Sequence, residues 1–165
     1  MPIVDNISVP LLNTKLKTKT GFVDKRRAKE LAQYYFNLLN VKANSIYDRL
    51  SSLSGGNQQK VVVAKTISSD PNVLILDEPT IGIDIKSREE IIENIDKIST
   101  EKKTSILYLT NDFDELIRIV DRILFFQEGM LMEDIANDNL THEDVIRIRD
   151  DVKEKARKLT ANTTA

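Results

Sequence analysis

The chain has no cysteine, only five glycines, and a single histidine at position 142. Without cysteine there are no disulfides and no thiolate metal ligands. The longest apolar runs, such as "VVVA" and "VLIL", are four or five residues, far short of a membrane span. No charged segment followed by an apolar stretch opens the chain, so no signal peptide is expected. The formal net charge is −2, which argues against a nucleic-acid partner, since such binders normally show a basic surplus. With 41% hydrophobic and 30% charged residues over 165 positions, the composition fits one good core and a small satellite lobe. A cytoplasmic location is the default.

Local patterns divide the chain into four segments. Residues 1–23 are poorly patterned; "NISVPLL" suits a short edge strand interrupted by Pro10, followed by a basic loop closed by Gly21. Residues 24–70 open with a helix from Asp24 to Leu39, whose apolar stripe is Ala28, Leu31, Ala32, Tyr35, Leu38 and Leu39. The run "VVVAKTISSDP" stays ambiguous: three valines favour a strand, while Gln58, Gln59, Lys60, Ala64 and Lys65 allow a helix, and Pro71 ends either.

Residues 71–135 carry the clearest signal. "NVLILDEP" and "TSILYLT" read as strands buried on both faces. Between them Ile91, Ile92, Ile95 and Ile98 share one helical face, with Asp84 as the candidate N-cap. A helix from Phe113 to Val120 turning Phe113, Leu116, Ile117 and Val120 inward precedes an edge hairpin, "RILFF" and "MLMED". Strand and helix alternate, which predicts an α/β layered domain with a largely parallel sheet. Residues 136–165 open with "THED", a capping box for a helix to about Lys158, and end in a frayed tail, "TANTTA". His142 falls in that capping context and reads as a surface residue.

The chemistry concentrates in two places. In "LSGGNQQK", Gly55 and Gly56 free the backbone for a close approach just before a helix-capable run, an arrangement that favours an anion. Asp77 and Glu78 close an apolar strand, where ligands collect in open α/β sheets. A carboxylate there can reach Mg²⁺, and a second can orient or deprotonate a water. Alone, a strand ending in two acids is weak evidence. On average usage, however, Leu-Ser-Gly-Gly occurs at roughly one position in several tens of thousands. Here it precedes "VLILDEPT" by a helix-length spacer, and "GID" (82–84) follows at once.

This combination resembles the ATP-binding cassette (ABC) family. "LSGGNQQ" is similar to its signature motif, "VLILDE" to its Walker B strand and "GID" to its D-loop. The form "SGGNQQK" resembles the two-cassette ATPases of simple-sugar importers, and "FNLLNVKANSIYDRLSSLSGGNQQKV" their second cassette. The likeness covers roughly residues 20–150 and implies a partial P-loop NTPase-like domain plus part of a helical subdomain.

It also implies roles. Ser54, Gly55, Gly56 and Gln58 would bind the ATP held mainly by the opposite cassette. Asp77 would place Mg²⁺, Glu78 would be the catalytic carboxylate, and Asp84 would belong to the contact between cassettes. The implied partners are a second cassette and membrane permease subunits at the cytoplasmic face of the cell membrane.

Two positions depart from the pattern. The switch position, usually histidine, is Asn111, which can hydrogen-bond a phosphate oxygen but cannot carry a proton there. Ile81 stands where this branch usually has arginine. A larger departure is that no G-x-x-x-x-G-K-[ST] occurs in the chain. The expectation is therefore the C-terminal part of a longer ATPase, inactive alone and prone to self-association through an opened sheet. A non-catalytic association module derived from such an ATPase is the alternative. A cassette ATPase of DNA repair or translation is disfavoured, because no basic surplus or coiled-coil heptads are present.

Overall fold

A computed structural model of the chain describes residues 1–163, which fall into two compact units, Met1–Leu109 and the segment from Thr110 onward. The first unit opens with a short helix, α1 (Ile3–Ser8), and a 3₁₀ turn (Val9–Leu11). This corrects the expected edge strand. Ile3, Val4 and Ile7 lie buried at helical spacing, and the N–H groups of Ile3 and Val4 find the carbonyls of Asp48 and Ile46 at 3.0 and 2.8 Å. Pro10 sits in the first turn of the 3₁₀ segment, where a missing N–H costs little.

Helix α2 (Lys25–Leu38) follows, capped by Asp24, whose carboxylate accepts from the N–H of Arg27 at 3.0 Å. It buries Ala28, Ala32 and Tyr35 on the predicted stripe. The ambiguous valine run resolves as helix α3 (Gly55–Ile67), burying Lys60, Val61, Val63, Ala64 and Ile67. Tertiary burial there outweighs the β-preference of valine.

Strand β1 (Val73–Asp77), helix α4 (Ile85–Lys102) and strand β2 (Ser105–Leu109) complete the unit. The strands pair in parallel, from Val73 opposite Ser105 to Asp77 opposite Leu109. Leu74 and Leu76 are buried, in one core with Ile3, Ile7, Tyr35, Leu39, Val61, Ile67, Ile91 and Ile95. The expectation of burial on both faces fails for both strands. Val73 and Ile75 are 61% and 62% exposed, and Leu107 and Leu109 are exposed beside them. The apolar run reflects a sheet with one covered face and one uncovered face.

The second unit contains α5 (Phe113–Ile119), an antiparallel hairpin of β3 (Arg122–Gln127) and β4 (Met130–Ala136), and α6 (His142–Thr163). Glu128 and Gly129 turn the hairpin with φ of 50° and 75°, the left-handed pair that matches strand twist. On α5 the expected inward residues are only half-buried, and Glu115 is the buried one. The capping box of α6 forms: Asp144 accepts from both the N–H (3.1 Å) and the hydroxyl (2.6 Å) of Thr141. His142 is exposed and bonds Asp114 through Nδ1 at 2.6 Å. The helix continues past Lys158 to Thr163, which corrects most of the expected tail; residues 164 and 165 lie outside the described residues.

Candidate functional site

The glycine turn sits where a helix begins. Ser54 is the N-cap of α3 with extended backbone, and Gly55 and Gly56 start the helix. The first N–H groups of a helix have no intrahelical carbonyl to meet. Around them the surface is shaped by two unlike glycines. A Cβ on Gly55 would meet nothing within 4 Å, so that position faces open space. A Cβ on Gly56 would lie 2.7 Å from Cβ and Oγ of Ser87 and 3.1 Å from Ile83 Cγ2. Gly56 is thus a packing glycine, and it brings the turn against the start of α4.

Side chains hold the turn in shape. Asn57 Nδ2 donates to Ser54 Oγ at 2.9 Å, while Asn57 Oδ1 accepts from the N–H of Lys42 at 2.7 Å. With its oxygen engaged as an acceptor, the Ser54 hydroxyl keeps its proton to donate. Gln58 Nε2 donates to the carbonyl of Leu53 at 2.8 Å, so its amide braces the loop. One turn further, Lys60 is buried and donates to the carbonyl of Asn40 at 3.3 Å and to Glu90 Oε2 on α4. The hydrogen bond from Lys60 lowers the carboxyl pKa of Glu90. Sequence reasoning missed this lysine's burial, because lysine is almost never fully buried unless paired, and the partner lies 30 residues away.

Asp84 caps α4, accepting from the N–H of Ser87 at 3.0 Å, and the bonds from Ser87 lower its carboxyl pKa. Ser87 therefore touches two site residues: Gly56 packs on its side chain and Asp84 holds its N–H. Gly82, just before, has φ of 71°, which favours glycine. Ile81, the other departure, is exposed in the same loop.

Asp77 and Glu78 lie at the carboxyl end of β1. Asp77 is exposed. Glu78 takes a left-handed backbone, φ 45°, and donates its N–H to the carbonyl of Leu109 at 2.9 Å. Asn111 belongs to the second unit, in the exposed bend before α5, whose N-cap is Asp112. Among the described residues no group of three His, Cys, Asp or Glu could hold a metal. Mg²⁺ with a nucleotide is compatible with that, since it is commonly bound by one or two carboxylates plus substrate phosphates.

An α/β unit with parallel strands, a glycine turn at a helix start and paired acids at a strand's carboxyl end is the architecture of nucleotide-binding proteins. The sequence profile of the ABC transporter family matches residues 4–81. A ribose import ATP-binding protein of Rubrobacter xylanophilus is 36% identical over 144 residues, covering 87% of this chain and 27% of that protein. One from Lactococcus lactis is 38% identical over 146 residues, covering 88% of this chain and 29% of the relative. A dimeric ATP-binding cassette solved in a post-hydrolysis state with ADP and Pi superposes with a TM-score of 0.71 at 21% identity, over 85% of this chain and 58% of that one. The chain belongs to the ATP-binding cassette family. It spans under a third of the length of the ribose-import relatives. Among the described residues no helix is long and apolar enough to cross a membrane.

Proposed function

We propose that the chain is part of the ATP-binding subunit of a simple-sugar importer, coupling ATP hydrolysis to uptake through a membrane permease at the cytoplasmic face. The observation that carries this reading is the α3 turn, where the first N–H groups of the helix follow the Ser54 N-cap, with Gly55 open to solvent and Gly56 packed. The ribose-import relatives supply the transported class.

Each site residue then has a task. Ser54 donates its hydroxyl proton, and Gly55 and Gly56 their N–H groups, to the terminal phosphate of an ATP held mainly by an opposite cassette. Gln58 serves that turn by bracing Leu53 rather than by reaching outward. Asp77 offers the carboxylate for Mg²⁺, and Glu78 the carboxylate that orients or deprotonates the attacking water. Asn111 offers a hydrogen bond to a phosphate oxygen without carrying a proton. Asp84 fixes the loop that meets the other cassette. Bound MgATP supplies the phosphoryl group and the neutralising cation.

The same reading makes the 165-residue chain catalytically silent alone, because it contains no G-x-x-x-x-G-K-[ST]. A non-catalytic association module is the second reading, favoured by the uncovered apolar face of β1 and β2. Uptake of a panel of labelled pentoses and hexoses by the source cells, with and without Ser54→Arg, separates the two. The importer reading expects transport of one simple sugar to be lost; unchanged uptake of every sugar would leave the association module.

A further inference from the structure

Residues 15–29 hold seven of the chain's 24 Lys and Arg residues and one of its 26 Asp and Glu residues. The rest of the chain is therefore strongly acidic, and this stretch is a basic island. It is also an ordered one. Lys17 and Val23 form an antiparallel bridge, the N–H of Thr18 donates to the carbonyl of Phe22 at 2.8 Å, and the N–H of Phe22 returns to Thr18 Oγ1 at 3.0 Å. Gly21, φ 89°, makes the turn between them. Leu16 is fully buried beneath the ribbon with Leu11 and Ala28, which ties it to α2.

The tip of this ribbon exposes apolar side chains. Phe22 is 75% exposed and Val23 is exposed beside it. Close to them in sequence, Lys15 and Arg26 pair with Asp70 and Glu30, while Lys17, Lys19, Lys25, Arg27 and Lys29 have no carboxylate partner among the described residues. An ordered turn that holds an aromatic ring in water near unpaired cations combines the two attractions, apolar and electrostatic, that an anionic bilayer offers together.

We propose that this ribbon and the first turns of α2 dock on an anionic phospholipid bilayer, Phe22 entering the headgroup region and the surrounding cations meeting lipid phosphates. A polynucleotide fits less well: it offers no apolar phase for Phe22 and Val23, and the ribbon carries a single aromatic ring, too few for a stacking series. The surface shares no residue with the α3 turn or the β1 acids, so the inference stands apart from the importer reading.

The chain has no tryptophan, so Phe22→Trp is a unique fluorescent reporter. The test titrates the whole chain with vesicles of phosphatidylcholine alone and of phosphatidylcholine with about one third phosphatidylglycerol, following emission of the introduced indole and co-sedimentation. The expected result is a blue shift and sedimentation only with the anionic vesicles, weakened about tenfold or more by the double change Lys17→Glu and Lys19→Glu and by raising salt to about 0.5 M. Phe22→Ser should weaken binding several-fold while leaving its salt dependence unchanged. Circular dichroism confirms that each variant folds, which these exposed positions permit. Equal binding to neutral vesicles, no binding to either, or competition by a single-stranded oligonucleotide at lower concentration than the vesicles would each overturn the proposal.

Discussion

Lys60 on α3 and Glu90 on α4 form an ion pair that is buried on one side only: the lysine side chain is 2% exposed and the glutamate 24%. Lys42 approaches the same carboxylate at 4.0 Å, from the solvent side. Together with the contact of Gly56 on Ser87, the pair fixes the start of α3 against the start of α4 in two successive turns.

The asymmetry makes a stability prediction. Glu90→Ala strands a buried ammonium and should cost ~3–5 kcal/mol. Lys60→Met keeps the shape and leaves a carboxylate that can still reach water and Lys42, so about 1–2 kcal/mol is expected from the lost pair and lost bond to Asn40. Urea denaturation of the two variants checks the order; equal losses would show that the burial of Lys60 is not what matters.

The two glycines should separate in the same way. Gly56→Ala forces a Cβ into Ser87 and should cost about 1–3 kcal/mol of overpacking, less the ~1 kcal/mol gained in helix propensity. Gly55→Ala meets no atom within 4 Å and should leave stability unchanged or slightly raised. If the proposed importer ATPase is assembled, Gly55→Ala should depress its turnover, because the open side of Gly55 is the face the proposal gives to phosphate. Thermal melts of both variants beside turnover of the assembled protein give the comparison.

Acid should loosen the first unit through Asp70. Burial opposes its charge, but hydrogen bonds from Lys15 and Lys102 outweigh this and hold its pKa at about 2. Lys102 also donates to Tyr35 Oη at 2.7 Å, so the cluster ties α2 to α4. A depressed carboxyl pKa stabilises above the unfolded value near 4, and that contribution is lost as pH falls toward about 2. Asp70 is half exposed, so screening reduces it to on the order of 1 kcal/mol. Stability of Asp70→Asn should fall below the parent chain's near pH 6 and converge toward it as pH drops to about 2; a constant difference across that range would contradict the assignment.

The chain on its own should bind MgATP weakly, hydrolyse none and self-associate. Each missing charge-assisted phosphate bond forfeits ~1.5–3 kcal/mol. The uncovered faces of Val73, Ile75, Leu107 and Leu109 favour association between copies. Light scattering should show a concentration-dependent mass that Ile75→Lys reduces and MgATP does not alter. Micromolar MgATP binding by calorimetry, or a monomer at every concentration, would count against this.

Much of this arrangement is legible in the residues. "LSGGNQQK", "VLILDE" and "GID" place the turn, the acids and the α4 cap, and Asp84 caps as its position before the helix suggests. What stays hidden is set by packing. Three valines cannot announce that Val61 and Val63 join a helix core, and "NISVPLL" is drawn into the helical segment whose first N–H groups, on Ile3 and Val4, meet the carbonyls of Asp48 and Ile46. "VLIL" looks buried on both faces because an apolar run carries no record of which neighbour covers it. The left-handed backbone of Glu78 and the burial of Lys60 are likewise consequences of tertiary structure.

The claim that the α3 turn grips phosphate is tested most directly by amide hydrogen exchange over residues 54–58 in the assembled ATPase, with and without a non-hydrolysable ATP analogue. The first-turn N–H groups of Gly55, Gly56 and Asn57 have no intrahelical acceptor and should exchange fast without nucleotide. The account predicts slowing by about tenfold or more when the analogue saturates the protein. Unchanged exchange at these amides under saturating nucleotide would contradict it.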